Sequence, residues 1–167
     1  IQALYPAPNN PGTNNGLQNN LYLPRNPKAD RDNYDFKVDW NRTSANHVFA
    51  KFSTMQGKVC DLYKLGYDNV GCGNTHVYVP TVGTTWTLSP TMVLDGNFGM
   101  NRQDQTAQGG DFGTNFGSQT FGIPGTNGPD PLQSGMPSFN PGYSTLGNND
   151  TWTPLERHET SYTATAN

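Results

Sequence analysis

Apolar and charged residues are both scarce: hydrophobic residues make up 32% of the chain and charged ones 14%, against about 45–50% and about 25% in ordinary soluble domains. No apolar run approaches the roughly 18 residues of a membrane-crossing helix. Helix formers give way to turn formers, with 19 glycines and 13 prolines beside abundant asparagine and threonine. That balance excludes a helical bundle. A cationic field is missing too. The net charge is −3 and the ten lysines and arginines are scattered, so nothing draws in phosphates, and nucleic acid is excluded as a partner. High net charge, the mark of disordered chains, is equally absent, while aromatics reach 11%. The chain folds, or joins something that folds.

The 167 residues allow one domain. The first residues, Ile1, Gln2, Ala3, Leu4, Tyr5 and Pro6, contain neither a starting methionine nor a charged-then-apolar leader. The expectation is a piece of a longer precursor. The only cysteines, Cys60 and Cys72, flank a glycine-containing stretch without histidine or further cysteine at metal-ligand spacing. A disulfide closing that loop is favoured over two free thiols. Such a bond implies an oxidising compartment and stabilises by about 3 kcal/mol in the chain-entropy picture.

Residues 1–33 read as an irregular Pro/Asn-rich arm, because Pro6, Pro8, Pro11, Pro24 and Pro27 each remove a donor and restrict the preceding residue. Asparagine pairs at 9–10, 14–15 and 19–20 recur every five residues. A polar loop explains them more simply than a stacked asparagine ladder. The pattern changes at residue 34. Tyr34, Phe36, Val38 and Trp40 alternate with Asp35, Lys37, Asp39 and Asn41, which is a strand with one apolar and one polar face. A turn over residues 41–46 leads to a second strand over 48–54, making an antiparallel hairpin. After the cysteine loop at 56–75, a third strand is expected over 76–88. Pro80 demotes its first half to an edge or a loop approach. A turn at Ser89, Pro90 and Thr91 opens a fourth strand, in which Met92, Leu94, Gly96, Phe98 and Met100 oppose Asp95, Asn97 and Asn101. Two hairpins thus occupy 34–102.

Residues 103–158 lack convincing periodicity and read as a long Gly/Pro-rich loop, functional or disordered. Its Phe-Gly dipeptides, at Phe112, Phe116 and Phe121, are read as aromatic pegs pinning a glycine-rich loop rather than as a binding surface. A further strand begins over 159–167. The fold class is therefore all-β: an antiparallel meander of about four to five strands with long irregular loops, forming a partial barrel or an open sheet that needs partner chains.

The same residues carry few signatures of catalytic or metal chemistry. His158-Glu159 lacks the second histidine of a zinc-protease helix, and the alternation around it predicts a strand. His47, His76 and His158 are separate polar residues rather than a ligand set. Asp30, Asp32, Asn33 and Asp35 gather oxygen donors without the glycine and distal glutamate of a calcium loop. No phosphate loop, nucleophile elbow or Ser-His-Asp arrangement is recognisable. The expectation is no enzyme, with no catalytic, cofactor or metal residue.

Strands with one oily face suit either a soluble sandwich or a membrane barrel. Short turns at 41–46 and 88–91 alternate with long connections at 55–75 and 103–158, an asymmetry that characterises outer-membrane barrels. Tyr34, Trp40 and Trp86 near strand ends suit an interfacial girdle. The segments 4–9, 31–41, 47–53, 86–91 and 98–102, taken in order, resemble the barrel of TonB-dependent receptors of the Oar-like, carboxypeptidase-regulatory-domain group. The resemblance implies a parent with a plug, a TonB box and about twenty-two strands, which takes up an extracellular ligand. It makes this chain an internal segment, since closure alone would need roughly 200 residues before any loop, and the terminal aromatic of such barrels is missing.

On this reading Tyr34, Phe36, Val38, Trp40, Met92, Leu94, Phe98 and Met100 face lipid or partner chains. The partners are the rest of the parent barrel and outer-membrane lipid, or identical copies in a homopolymer, together with an unknown extracellular ligand. The location is the outer membrane or the extracellular space. Glycosylation acceptor patterns at Asn41 and Asn149 carry no weight in such a setting. Two other functions compete: a processed fragment that assembles into a β-rich filament, and a soluble glycan-binding β-sandwich using Trp86, Trp152 and the asparagine-rich loops.

Overall fold

The computed structural model describes residues 1–24, 26–61, 71–142, 145–148 and 153–167. The interior of the cysteine loop, the acceptor pattern at 149–151 and Trp152 lie outside the described residues. Five strands run in chain order: β1 (Lys28–Thr43), β2 (Asn46–Asp61), β3 (Gly71–Ser89), β4 (Met92–Gln108) and β5 (Leu155–Ala166). They form one sheet in the order β1-β2-β3-β4-β5, an antiparallel meander that is not closed into a barrel. A sandwich needs two packed sheets, and the described residues make one.

The strands reach further than the alternation of large apolar residues suggests. β1 begins at Lys28 rather than Tyr34, β4 continues to Gln108 rather than Arg102, and β5 starts at Leu155 rather than Glu159. Hydrogen-bond ladders belong to the backbone, so a strand can continue through polar residues where oily periodicity has stopped. Pro80 is corrected likewise: β3 is continuous through it and lies in the centre of the sheet. Proline removes one donor, and the long pairing on both sides of β3 tolerates that single loss.

The chain divides into two compact units. One comprises Asp30–Gly57, Asn74–Gln105 and Arg157–Asn167 and carries the middle of the sheet. Its register is fixed by side-chain contacts. Between β3 and β4, the Thr85 hydroxyl donates to Asp95 Oδ1 at 2.7 Å, and Gly83 abuts Asn97. Between β4 and β5, Asp95 and Asn167 exchange backbone hydrogen bonds of 3.0 and 2.9 Å, and Asn97 donates to Thr165. At the tight end, the Asn46 amide, in a buried residue, donates to Thr84 Oγ1, which donates to the His47 carbonyl.

The other unit comprises Ile1–Ala29, Lys58–Gly73 and Thr106–Glu156. Met136 and Leu146 form its small buried centre, and Leu4, Tyr5, Leu21, Phe116, Phe121 and Phe139 pack against them. Burying each aliphatic side chain contributes about 1.5–3 kcal/mol. The rings of Phe116, Phe121 and Phe139 meet edge to face at 5.2 and 5.7 Å, so Phe116 and Phe121 serve as pegs. The asparagine pairs form a polar loop: Asn14 and Asn15, between the bridged residues Thr13 and Gln18, and Asn19 just after them adopt left-handed backbone. Asn9 pairs with Tyr22 as a peptide group would, donating to its carbonyl and accepting from its N–H, each at 2.8 Å.

Candidate functional site

Alternation along each strand gives the sheet two faces, and their chemistry differs. On one face stand Tyr34, Phe36, Val38 and Trp40 of β1 with Met92, Leu94 and Phe98 of β4, each 40–67% exposed, together with the half-buried Met100. Tyr78, Val82, Trp86 and Leu88 of β3, Phe52 of β2 and Tyr162 of β5 continue this face, and all are exposed. Phe98 stacks on Tyr162 across β4 and β5 at 6.3 Å. Apart from Trp86, which the sequence already offered as a girdle aromatic, the β3 and β5 members were missed because Pro80 and Gly83 interrupt the pattern and Thr160 and Thr163 dilute it.

The opposite face carries polar pairs within and between strands. Ser53 donates to Asp35, Lys51 lies 3.5 Å from Asp35, and Asp39 receives Lys37 at 2.9 Å and His47 at 3.1 Å. Arg157 pairs with Glu159. Met55, Val77 and Val79 share this face beside Asp35 and Ser53, and so does one aromatic residue, Phe49. Its ring lies against Gly83, with the Lys37 ammonium 5.4 Å from its centroid. Glycine leaves the room for this, because a Cβ at position 83 would collide with the Phe49 ring and with Asn97 Oδ1, and one or both side chains would have to shift.

Beyond Met100 the apolar face ends in a polar cluster. Arg102 donates to Asp104 Oδ1 at 2.8 Å and to Thr160 at 3.1 Å, and His158 Nδ1 lies 2.6 Å from Asp104. The Arg102 hydrogen bond, followed by that of His158, holds the Asp104 carboxyl below the ordinary carboxylate range. The oxygen donors at 30–35 do not converge on a cation, since strand geometry sends Asp30 and Asp32 to one face and Asn33 and Asp35 to the other.

Cys60 of β2 and Cys72 of β3 lie opposite each other with Cα atoms 4.2 Å apart and form the disulfide expected from their loop. The second unit has its own buried polar centre at Asp111. This carboxylate accepts from the Met136 N–H at 2.6 Å and from the Asn148 amide at 3.3 Å, and Thr114 Oγ1 donates to the Asp111 carbonyl at 2.7 Å. Nothing in the sequence marked Asp111, whose partners lie 25 and 37 residues away.

An open antiparallel meander, oily on one face, polar on the other and joined alternately by tight turns and long connections, has the design of a membrane-barrel wall. The sequence matches the family model described as an outer membrane beta barrel domain over residues 1–167, and the chain belongs to that family. It is an outer-membrane barrel protein. No curated protein and no solved structure matches it.

Proposed function

We propose that the chain is a wall segment of a TonB-dependent receptor of the Oar-like, carboxypeptidase-regulatory-domain group, serving ligand binding or uptake rather than catalysis. The carrying observation is the two-faced sheet. Its apolar face meets lipid, and its polar face lines the lumen. The free edges of β1 and β5 pair with further strands of the parent barrel, because unpaired backbone groups cannot stand in hydrocarbon.

Strand length supports this placement. β1 to β4 run 16 to 19 residues, whereas about 9–11 suffice to cross a bilayer. The oily positions from Met92 to Met100 cover about 26 Å of strand, near the roughly 25 Å apolar band of such barrels before tilt is counted. Polar ends such as 28–33 and 102–108 therefore extend past the band on the side of the long connections. By the barrel rule of short periplasmic turns and longer outer loops, that side is extracellular, where a Cys60–Cys72 bond persists.

TonB dependence rests on the ordered motifs shared with that receptor group. The test is cross-linking in living cells between TonB and the full-length protein carrying this chain, paired with conductance of the purified protein in planar bilayers. The expected result is a TonB adduct and a closed, plugged barrel. An open pore with no adduct would replace the receptor reading with a passive porin.

A further inference from the structure

The β4–β5 part of the polar face differs from the β1–β2 part. Around β1 and β2 the charged side chains pair with one another within β1 and across to β2. Along β4 and β5 lies a groove of about 520 Å3, lined by Asn101, Gln103, His158, Glu159, Thr160 and Ser161. That volume is within the range of small-ligand sites. The register set by Asn97–Thr165 and Asp95–Asn167 puts Asn101 opposite Ser161 and Gln103 opposite Glu159. The groove opens on the polar face: His158 and Thr160 spend their side chains on Asp104 and Arg102 behind it, and neither of those two residues lines it.

We propose that this groove binds a neutral, polyhydroxylated ligand, a carbohydrate, in the barrel lumen. The proposal rests on the receptor reading and names its ligand class. Among the described residues, Asn101, Gln103 and Ser161 make no side-chain hydrogen bond, so their donors and acceptors are available. Each amide offers two donors and an acceptor, and the serine hydroxyl does both, which matches sugar hydroxyls that also donate and accept.

The polar groups form a small grid. Residues two apart on a strand are about 7 Å apart and neighbouring strands about 5 Å, so adjacent hydroxyls of one ring can meet different side chains. An ionic ligand finds no open countercharge, since Arg157 already neutralises Glu159. An apolar ligand would strand the amides without partners, at a desolvation cost. A peptide needs pockets for its side chains, and the lining offers no apolar one.

The experiment is calorimetric titration of the full-length protein in detergent with short neutral oligosaccharides of glucose, mannose and xylose, and separately with uncharged peptides. The expected result is that at least one saccharide binds, that the double variant Asn101→Ala/Gln103→Ala weakens it about tenfold or more, and that Asn41→Ala leaves it unchanged. The proposal falls if no saccharide binds, if the double variant binds saccharide as the parent does, or if peptides bind and lose affinity in the double variant. TonB cross-linking is read without any ligand, so failure of the carbohydrate assignment and failure of the receptor reading are separately visible.

Discussion

Asp111 illustrates how one residue organises a stretch whose regular structure, among the described residues, is limited to short helical turns at Phe116–Thr120 and Pro131–Gln133 and a single bridge between Phe139 and Leu146. Its carboxylate ties the Met136 backbone and the Asn148 side chain around the only two buried hydrophobic side chains among the described residues, Met136 and Leu146. Replacing it by alanine leaves a buried N–H and an amide unpaired, a cost of about 1–3 kcal/mol each. Asp111→Ala is expected to speed backbone hydrogen exchange at residues 109–148 while exchange in β1 to β4 stays as in the parent. Unchanged exchange at 109–148 would mean that the aromatic pegs hold the loop without the carboxylate. Sequence reading could reach the pegs, because Phe-Gly repeats are local. Asp111 stayed hidden because its bonding is long-range and follows no period.

At the scale of an element, β3 holds the most information and was the least legible. Its alternation is broken by Pro80 and Gly83, both of which argue locally against a central strand. The structure resolves Gly83 as a place that a side chain from β2 fills: Phe49 occupies the space where a Cβ would stand. An aromatic on a polar face and a glycine in a strand interior are each unfavourable alone and fit together as a pair. Gly83→Val is expected to destabilise the sheet by about 1–3 kcal/mol through overpacking, and Phe49→Ala in the same chain should recover part of that loss. A double-mutant cycle by urea unfolding measures the coupling. Additive effects would remove the paired role. β1 and β4, by contrast, could be read directly, because large apolar residues recur at period two along 34–40 without a break and along 92–100 with only Gly96 between them. The ends of β1 and β4 escaped for the opposite reason, residues 30–33 and 102–105 being polar on both faces while their backbone pairing continues.

At the scale of the molecule, composition and turn asymmetry carried the architecture: an all-β meander with tight turns at one end and long connections at the other. The outer-membrane setting follows from the family to which the chain belongs. The neutral groove on β4 and β5 was not legible, since it depends on register, which sets Asn101 against Ser161, and periodicity alone does not fix register.

The central claim, that hydrocarbon covers one face and water the other, is tested most directly by spin-labelling positions 34 to 40 of β1 one at a time in the full-length protein in lipid bilayers. Collision with oxygen and with a water-soluble nickel complex is then measured for each label. The account predicts strict alternation, with oxygen favoured at 34, 36, 38 and 40 and nickel at 35, 37 and 39. Equal access to both reagents at every position would contradict it.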